Sequence, residues 1–319
     1  MDTRARVFVA GHRGLVGSAI VRELTKLGFG GLLLPDRGQL DLRSQAATDA
    51  FFRDARPDYV YVAAAKVGGI LANSTKTAEF IRDNLLIQTN VIHSAWEHGA
   101  TKLLFLGSSC IYPKMAPQPI REEYQLTGPL EPTNDAYAIA KIAGIRMARA
   151  YREQYGFNAI SLMPTNLYGP GDNFDLKSSH VLPALMRRFH EAKTGGAKEV
   201  VVWGSGTPRR EFLHVDDLAR AAVTLMEIYN DAEIVNVGTG EDLTIRELAE
   251  MIARVTRYEG RIVFDASKPD GTPRKILDVS NILGLGWKSA IPLEEGIQST
   301  YRWFLNTQEA GARGLASVV

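Results

Sequence analysis

RVFVAGHRGLVG, residues 6–17, is the stretch whose reading decides the fold. Arg6 to Ala10 is an apolar run closed by Gly11, the pattern of a parallel strand buried on both faces. Glycines follow at every third position, Gly11, Gly14 and Gly17, and an amphipathic helix is expected from about Leu15 to Leu27. Strand, glycine turn and helix in that order let a backbone approach a pyrophosphate held at a helix N-terminus. His12, Arg13, Leu15 and Val16 complete this candidate cofactor segment. An ordinary tight turn would carry similar glycines, but the flanking strand and helix favour a dinucleotide. The fold class expected is α/β, a doubly wound parallel sheet of Rossmann type with a smaller C-terminal substrate lobe.

Working outward, Leu32 to Leu34 reads as a second strand, ending at Pro35, Asp36 and Arg37. That point lies about 20 residues past the glycines, where the adenosine ribose is read. An acid there suits the 2′-hydroxyl of NAD, and an arginine suits the 2′-phosphate of NADP. Arg13 and Arg37 against the single Asp36 favour NADP(H). Tyr59 to Ala65 is a further buried strand with small residues at its end, followed by a long helix from Thr77 to His98. Lys102 to Leu106 then leads into GSSCIYP, residues 107–113, which puts Ser108, Ser109 and Cys110 on the ligand-facing edge of an open sheet.

The segment NDAYAIAKIAGI, residues 134–145, reads as a tightly packed helix capped at Asn134 or Asp135, with Asn158 to Met163 as the next strand. Tyr137 and Lys141 stand four apart, hence on one helical face. A cation beside a phenol favours phenolate, so the pair suits acid/base work on a carbonyl or alcohol. Alone, the spacing is equally that of a Tyr and a Lys on an exposed face. The preceding dinucleotide turn and the nearby Ser108 hydroxyl tip the balance.

Beyond PTNLYGPGDN, residues 164–173, the alternation loosens. Helices are expected at His180 to Lys193, from Asp216 or Asp217, at Thr244 to Arg257 and near Leu293 to Leu305. Strands are expected at Val200 to Trp203, Ile234 to Val237 and Arg261 to Asp265, with residues 204–217 as a loop. The expected division is a dinucleotide-binding part over 1–170, a lobe over 171–305 threaded with returns to the sheet, and a tail over 306–319 small and polar enough for disorder.

The chain has 319 residues, 45% hydrophobic and 23% charged, ordinary for a soluble globular protein. With 37 basic and 36 acidic residues, no field points to nucleic acid or a membrane surface. The single cysteine, Cys110, admits no internal disulfide and fits a reducing cytoplasm. No signal peptide, repeat or metal-ligand spacing is expected, and a homodimer follows from the frequency of two-fold assemblies.

The glycine turn, SSCIYP, Tyr-x-x-x-Lys, PTNLYGP, SSHVLPALMRRFHEA and WGSGTPRREFLHVDD together resemble the extended short-chain dehydrogenases/reductases acting on nucleotide sugars. Within them the match, from about Arg6 to Leu305, is to the 3,5-epimerase/4-reductases that convert GDP-4-keto-6-deoxymannose to GDP-L-fucose. The resemblance implies that Ser108 holds the C4 oxygen, Tyr137 supplies its proton and Lys141 binds the nicotinamide ribose. It implies that Cys110 and His180 exchange the protons on C3 and C5, which the C4 ketone acidifies. It also implies that Pro164, Thr165, Asn166, Leu167 and His180 flank the cofactor, and that Arg188, Trp203, Arg210 and Asp270 meet the GDP-sugar. Arginine's fork suits a diphosphate and a tryptophan face suits the nucleotide sugar.

Related 4,6-dehydratases carry Thr-Asp-Glu where this chain has Ser108-Ser109-Cys110, so the glutamate that serves water elimination is missing. The runner-up is an NAD-dependent 4-epimerase, which needs no acid/base pair beside C4. A non-catalytic dinucleotide sensor would have no use for Ser108, Tyr137 and Lys141 together.

Overall fold

The structure is a computed structural model and describes residues 1–176, 178–268 and 270–316. The opening strand β1 (Val7–Ala10) is wholly buried and turns through the glycines into α1 (Leu15–Lys26). Alternation continues with β2 (Leu32–Leu33), α2 (Gln45–Ala55), β3 (Tyr59–Val62), α3 (Ile70–Thr75), α4 (Thr77–Glu97), β4 (Lys102–Leu106), α5 (Asp135–Tyr155), β5 (Ala159–Pro164) and β6 (Asn166–Tyr168). The second half runs α6 (Val181–Thr194), β7 (Glu199–Trp203), β8 (Arg209–Arg210), β9 (Phe212–His214), α7 (Val215–Ile228) and β10 (Val235–Val237). It closes with β11 (Leu243–Thr244), α8 (Ile245–Thr256), β12 (Arg261–Asp265), β13 (Arg274–Lys275), α9 (Ser280–Gly284) and α10 (Leu293–Ala316).

Six parallel strands form one sheet in the order β10-β5-β4-β3-β1-β2. From β1 the chain steps one way to β2 and then winds the other way from β3, so the switch point lies at the carboxyl ends of β1 and β3. The central strands are mainly apolar because both faces are covered, Lys102 of β4 and Ser161 of β5 being the exceptions. Ala19, Ile20 and Leu24 of α1 and Leu218, Ala221 and Leu225 of α7 close one face. Phe52 of α2, Val91 and Ile92 of α4 and Ile142 and Ile145 of α5 close the other.

A third core joins α6, α8 and α10 to the parallel pair β7–β12 through Phe189, Val200, Leu248, Ile252 and Phe304. α8 opens on a capping box: Thr244 Oγ1 accepts from the Glu247 N–H at 3.1 Å, and the Glu247 carboxylate accepts from the Thr244 N–H at 2.7 Å. The chain does not stay in this lobe. β9 pairs with β6, and β10 becomes the outer strand of the main sheet.

Several boundaries differ from the sequence reading. β2 and β3 end earlier than expected, at Leu33 and Val62. The supposed loop over 204–217 holds the short strands β8 and β9, and α7 begins at Val215 because the His214 ring caps it, accepting from the Asp216 N–H at 3.2 Å. α5 starts after Asn134 as expected, yet the Asn134 side chain does not cap it. α10 continues through Ala316, so most of the expected disordered tail is helical; residues 317–319 lie outside the described residues.

Candidate active site

At the switch point the glycine turn is forced by contact. Gly11 has φ +81°, and a Cβ there would come within 2.7 Å of the Ala64 backbone; a Cβ at Gly17 would overlap the Gly11 carbonyl oxygen. The turn is therefore a cradle that only glycine leaves open, and Gly14 sits at the N-cap of α1 with no side chain over its free N–H groups. A dinucleotide pyrophosphate fits this geometry. Beside it, Arg13 donates to the Asp36 carboxylate at 2.6 Å and His12 Nε2 stands 3.3 Å from the other oxygen. Asp36 is thus already engaged, while Arg37 is exposed at the edge of the same site. The acid that argued against NADP is occupied by its own neighbours.

The second edge follows β4. Ser108 accepts from the Cys110 N–H at 3.3 Å, closing a 3-10 turn over Ser109–Ile111 that carries Cys110 inward, 8% exposed and unpaired. Across from it, Lys141 of α5 is buried and its Nζ donates to the Leu106 carbonyl at 2.7 Å. That ammonium sits 4.8 Å from the Phe105 ring centroid and 5.7 Å from that of Tyr137. Desolvation pushes the Lys141 pKa down to about 8. Desolvation, reinforced by the charge Cys110 can carry, raises Tyr137. The expectation that Lys141 holds Tyr137 low is therefore corrected: the ammonium lies over the ring, and burial of the phenol decides the direction. Burial also raises the Cys110 thiol, against the pull of Lys275, Ser108 and Lys141.

Ser108, Cys110, Tyr137 and Lys141 therefore share one site. His180 is the N-cap of α6: its main-chain carbonyl accepts from the Ala184 N–H at 3.1 Å, and its side chain has no hydrogen bond or ion pair among the described residues. Its flank does reach the sheet edge, because the Gly69 N–H donates to the Ser178 carbonyl at 2.8 Å. Surrounding protein desolvates the imidazole and lowers its pKa. Pro164 ends β5, buried Thr165 donates its N–H to Val237 at 3.0 Å, and Asn166 and Leu167 continue into β6.

The expected sugar-nucleotide residues form a second rim. The Arg188 guanidinium lies 5.6 Å from the exposed Trp203 ring, with Lys268 Nζ at 5.7 Å from the same ring. Arg188 and Trp203 border a shallow groove of about 420 Å³. Arg210 is partly buried, its pKa lowered by desolvation against the opposing charge of Asp270. Asp270 in turn accepts from the Ser205 N–H at 2.7 Å and hydroxyl at 2.8 Å.

Two residues escaped the sequence reading. Lys275 pairs in register with Arg210, its ammonium has no hydrogen bond or ion pair among the described residues, and its pKa is pushed down by desolvation while Cys110 pulls it up. Glu211 is wholly buried. No spacing marks either one: Lys275 ends a Pro/Gly-rich loop, and Glu211 hides in a charged run.

Residues 7–238 match the family model described as the NAD dependent epimerase/dehydratase family. The chain is 62% identical to GDP-L-fucose synthase 1 of Arabidopsis thaliana over 304 residues, 95% of this chain and 94% of that one. Among solved structures it is similar to a GDP-L-fucose synthetase from Naegleria fowleri bound to NADP, with TM-score 0.90 and 32% identity over 97% of this chain and 96% of that one. It is also similar to a GDP-mannoheptose C4 reductase from Campylobacter jejuni with NADP bound, with TM-score 0.87 and 40% identity over 95% and 99%. The glycine cradle at the switch point and the tyrosine–lysine helix beside it agree with these matches along nearly the whole chain: it belongs to the NAD dependent epimerase/dehydratase family.

Proposed function

We propose that this chain is an NADPH-dependent enzyme that inverts C3 and C5 of GDP-4-keto-6-deoxy-D-mannose and then reduces C4, giving GDP-L-fucose. The observation that carries the reading is the grouping of one thiol, Cys110, with Ser108, Tyr137 and Lys141 at the carboxyl edge of β4. A reductase alone has no use for the thiol.

Bound NADPH would supply the hydride; Gly11, His12, Gly14, Leu15, Val16 and Gly17 would hold its pyrophosphate side, Arg13 and Arg37 its 2′-phosphate, and Lys141 with residues 164–167 and His180 its nicotinamide end. Ser108 fixes the C4 oxygen. A phenol whose pKa is raised stays protonated at neutral pH, the form needed to give a proton to that oxygen. Lys141, with a pKa of about 8, restores the proton. Cys110 and His180 take and return the protons on C3 and C5 that the C4 ketone acidifies; burial raises the thiol and lowers the imidazole, which favours the neutral form of each. Arg188, Arg210 and the added Lys275 face the diphosphate, with Trp203 and Asp270 at the nucleotide sugar.

The proposal extends to the division of labour between residues 1–170 and 171–305, and to a homodimer working in the cytoplasm. Among the described residues no helix is long and apolar enough to cross a membrane. Absorbance of NADPH on mixing with GDP-4-keto-6-deoxymannose tests the activity. One NADPH consumed per sugar supports it, and substrate turnover with no net loss of NADPH would favour the 4-epimerase.

A further inference from the structure

Glu211 is buried, charged and unused by the chemistry above. We propose that it is a positioning residue, setting the Arg210–Lys275 cation pair against the diphosphate of the GDP-sugar; this rests on the substrate reading just given.

Its carboxylate is gripped from two sides. Oε1 accepts from the N–H groups of Thr239 at 2.6 Å and Gly240 at 2.8 Å, with Thr239 Oγ1 at 3.4 Å, while Oε2 accepts from the Leu277 N–H at 2.9 Å. A Cβ at Gly238 would overlap Oε1, so the backbone of residues 238–240 closes directly on the anion. The Glu211 main-chain carbonyl meanwhile accepts from Asn166 Nδ2 at 2.8 Å and Thr165 Oγ1 at 3.4 Å. One residue therefore ties the nicotinamide-side strip to the substrate side.

The register gives this tie a direction. Lys275 of β13 pairs with Arg210 of β8, Arg210 precedes Glu211, and Leu277 lies two residues beyond Lys275. The carboxylate thus fixes both ends of the rung that carries the two cations. Desolvation raises the Glu211 pKa, and the N–H groups of Leu277, Gly240 and Thr239 pull it back. A glutamine of the same shape has one acceptor oxygen, so its amide NH₂ would face donors on one side.

The test is calorimetric titration with GDP alone as probe, on wild type, Glu211→Gln, the double variant Arg210→Ala/Lys275→Ala, and the triple variant. A buried donor left unpaired costs enough that Glu211→Gln should weaken GDP binding about tenfold or more, with NADPH affinity by fluorescence held within about threefold. In the background lacking both cations, the same change should weaken GDP by less than about twofold, because its route to the ligand is gone. KM for the keto sugar should rise more than kcat falls. An equal loss with and without the cations would overturn the proposal and reduce Glu211 to a fold-holding residue. No loss of GDP affinity in the Arg210/Lys275 double variant would sink the substrate reading itself, and this inference with it. Should Glu211→Gln fail to fold, Glu211→Asp, which keeps the charge but reaches only one side, must show the same dependence on the two cations.

Discussion

At the scale of single residues, burial overrides the arithmetic of neighbouring charges. Tyr137 and Lys141 stand where their spacing puts them, yet desolvation moves them in opposite directions, up for the phenol and down for the ammonium. Asp172 shows the same effect. One of its oxygens is buried without a partner among the described residues, and desolvation lifts its pKa from 3.8 to about 7. Below 3.8 folded and unfolded chains both hold the proton. Between the two values the folded chain holds it longer, so stability falls as pH rises across that window and levels off above 7. Asp172→Asn should therefore melt increasingly above wild type from pH 4 to pH 7, with a constant gain beyond. A gain that shrinks over that range contradicts the assignment. The cofactor residues give a second test. With Asp36 held by Arg13 and His12, replacing Arg13 and Arg37 by uncharged residues should weaken NADPH while sparing NADH. Equal loss for both would make the arginines structural. A charge-assisted contact to phosphate is worth about 1.5–3 kcal/mol, so the preference should shift at least tenfold, which is roughly 1.4 kcal/mol.

At the scale of elements, the glycine turn and α8 show how local sequence fixes geometry. Gly17→Ala places a methyl against the Gly11 carbonyl inside the turn. We expect NADPH binding to be lost by equilibrium titration, with the remaining sheet still folded by circular dichroism; retained affinity would show that the cradle is not where the cofactor sits. Thr244→Ala removes the cap of α8 and should cost about 1 kcal/mol in urea unfolding, with no change in NADPH affinity. What could be read from sequence follows from what is local. β1, the glycine turn, α1 and the Tyr137–Lys141 face are set within a dozen residues by periodicity and sterics. β8 and β13 were not legible, because each is two residues long and exists only through pairing with segments distant in the chain, β8 with β11 and with β13. Lys275 and Glu211 were missed for that reason: their meaning comes from the partners that β13 brings to β8. The 3-10 turn at Ser109–Ile111 was equally silent in the sequence, although the residues it aims were recognised.

At the scale of the whole molecule, the sheet supplies one edge where a dinucleotide cradle, a thiol and a tyrosine–lysine pair meet, and α6 and β7 of the third core carry Arg188 and Trp203 of the cationic rim. The claim that distinguishes this protein from a simple reductase, such as the C4 reductase it resembles in fold, is that ring protons exchange before hydride arrives. A general acid or base contributes about 10²–10⁴-fold, so losing either half of the reaction is easily measured. The direct test is to run the reaction in heavy water with GDP-4-keto-6-deoxymannose and NADPH, comparing wild type with Tyr137→Phe. Wild type should give GDP-L-fucose carrying deuterium at both C3 and C5. Tyr137→Phe should still wash deuterium into those carbons of the keto sugar while NADPH oxidation nearly stops. Product formed by wild type with protium at C3 and C5 would contradict the account, leaving a C4 reductase with a buried thiol and no epimerase.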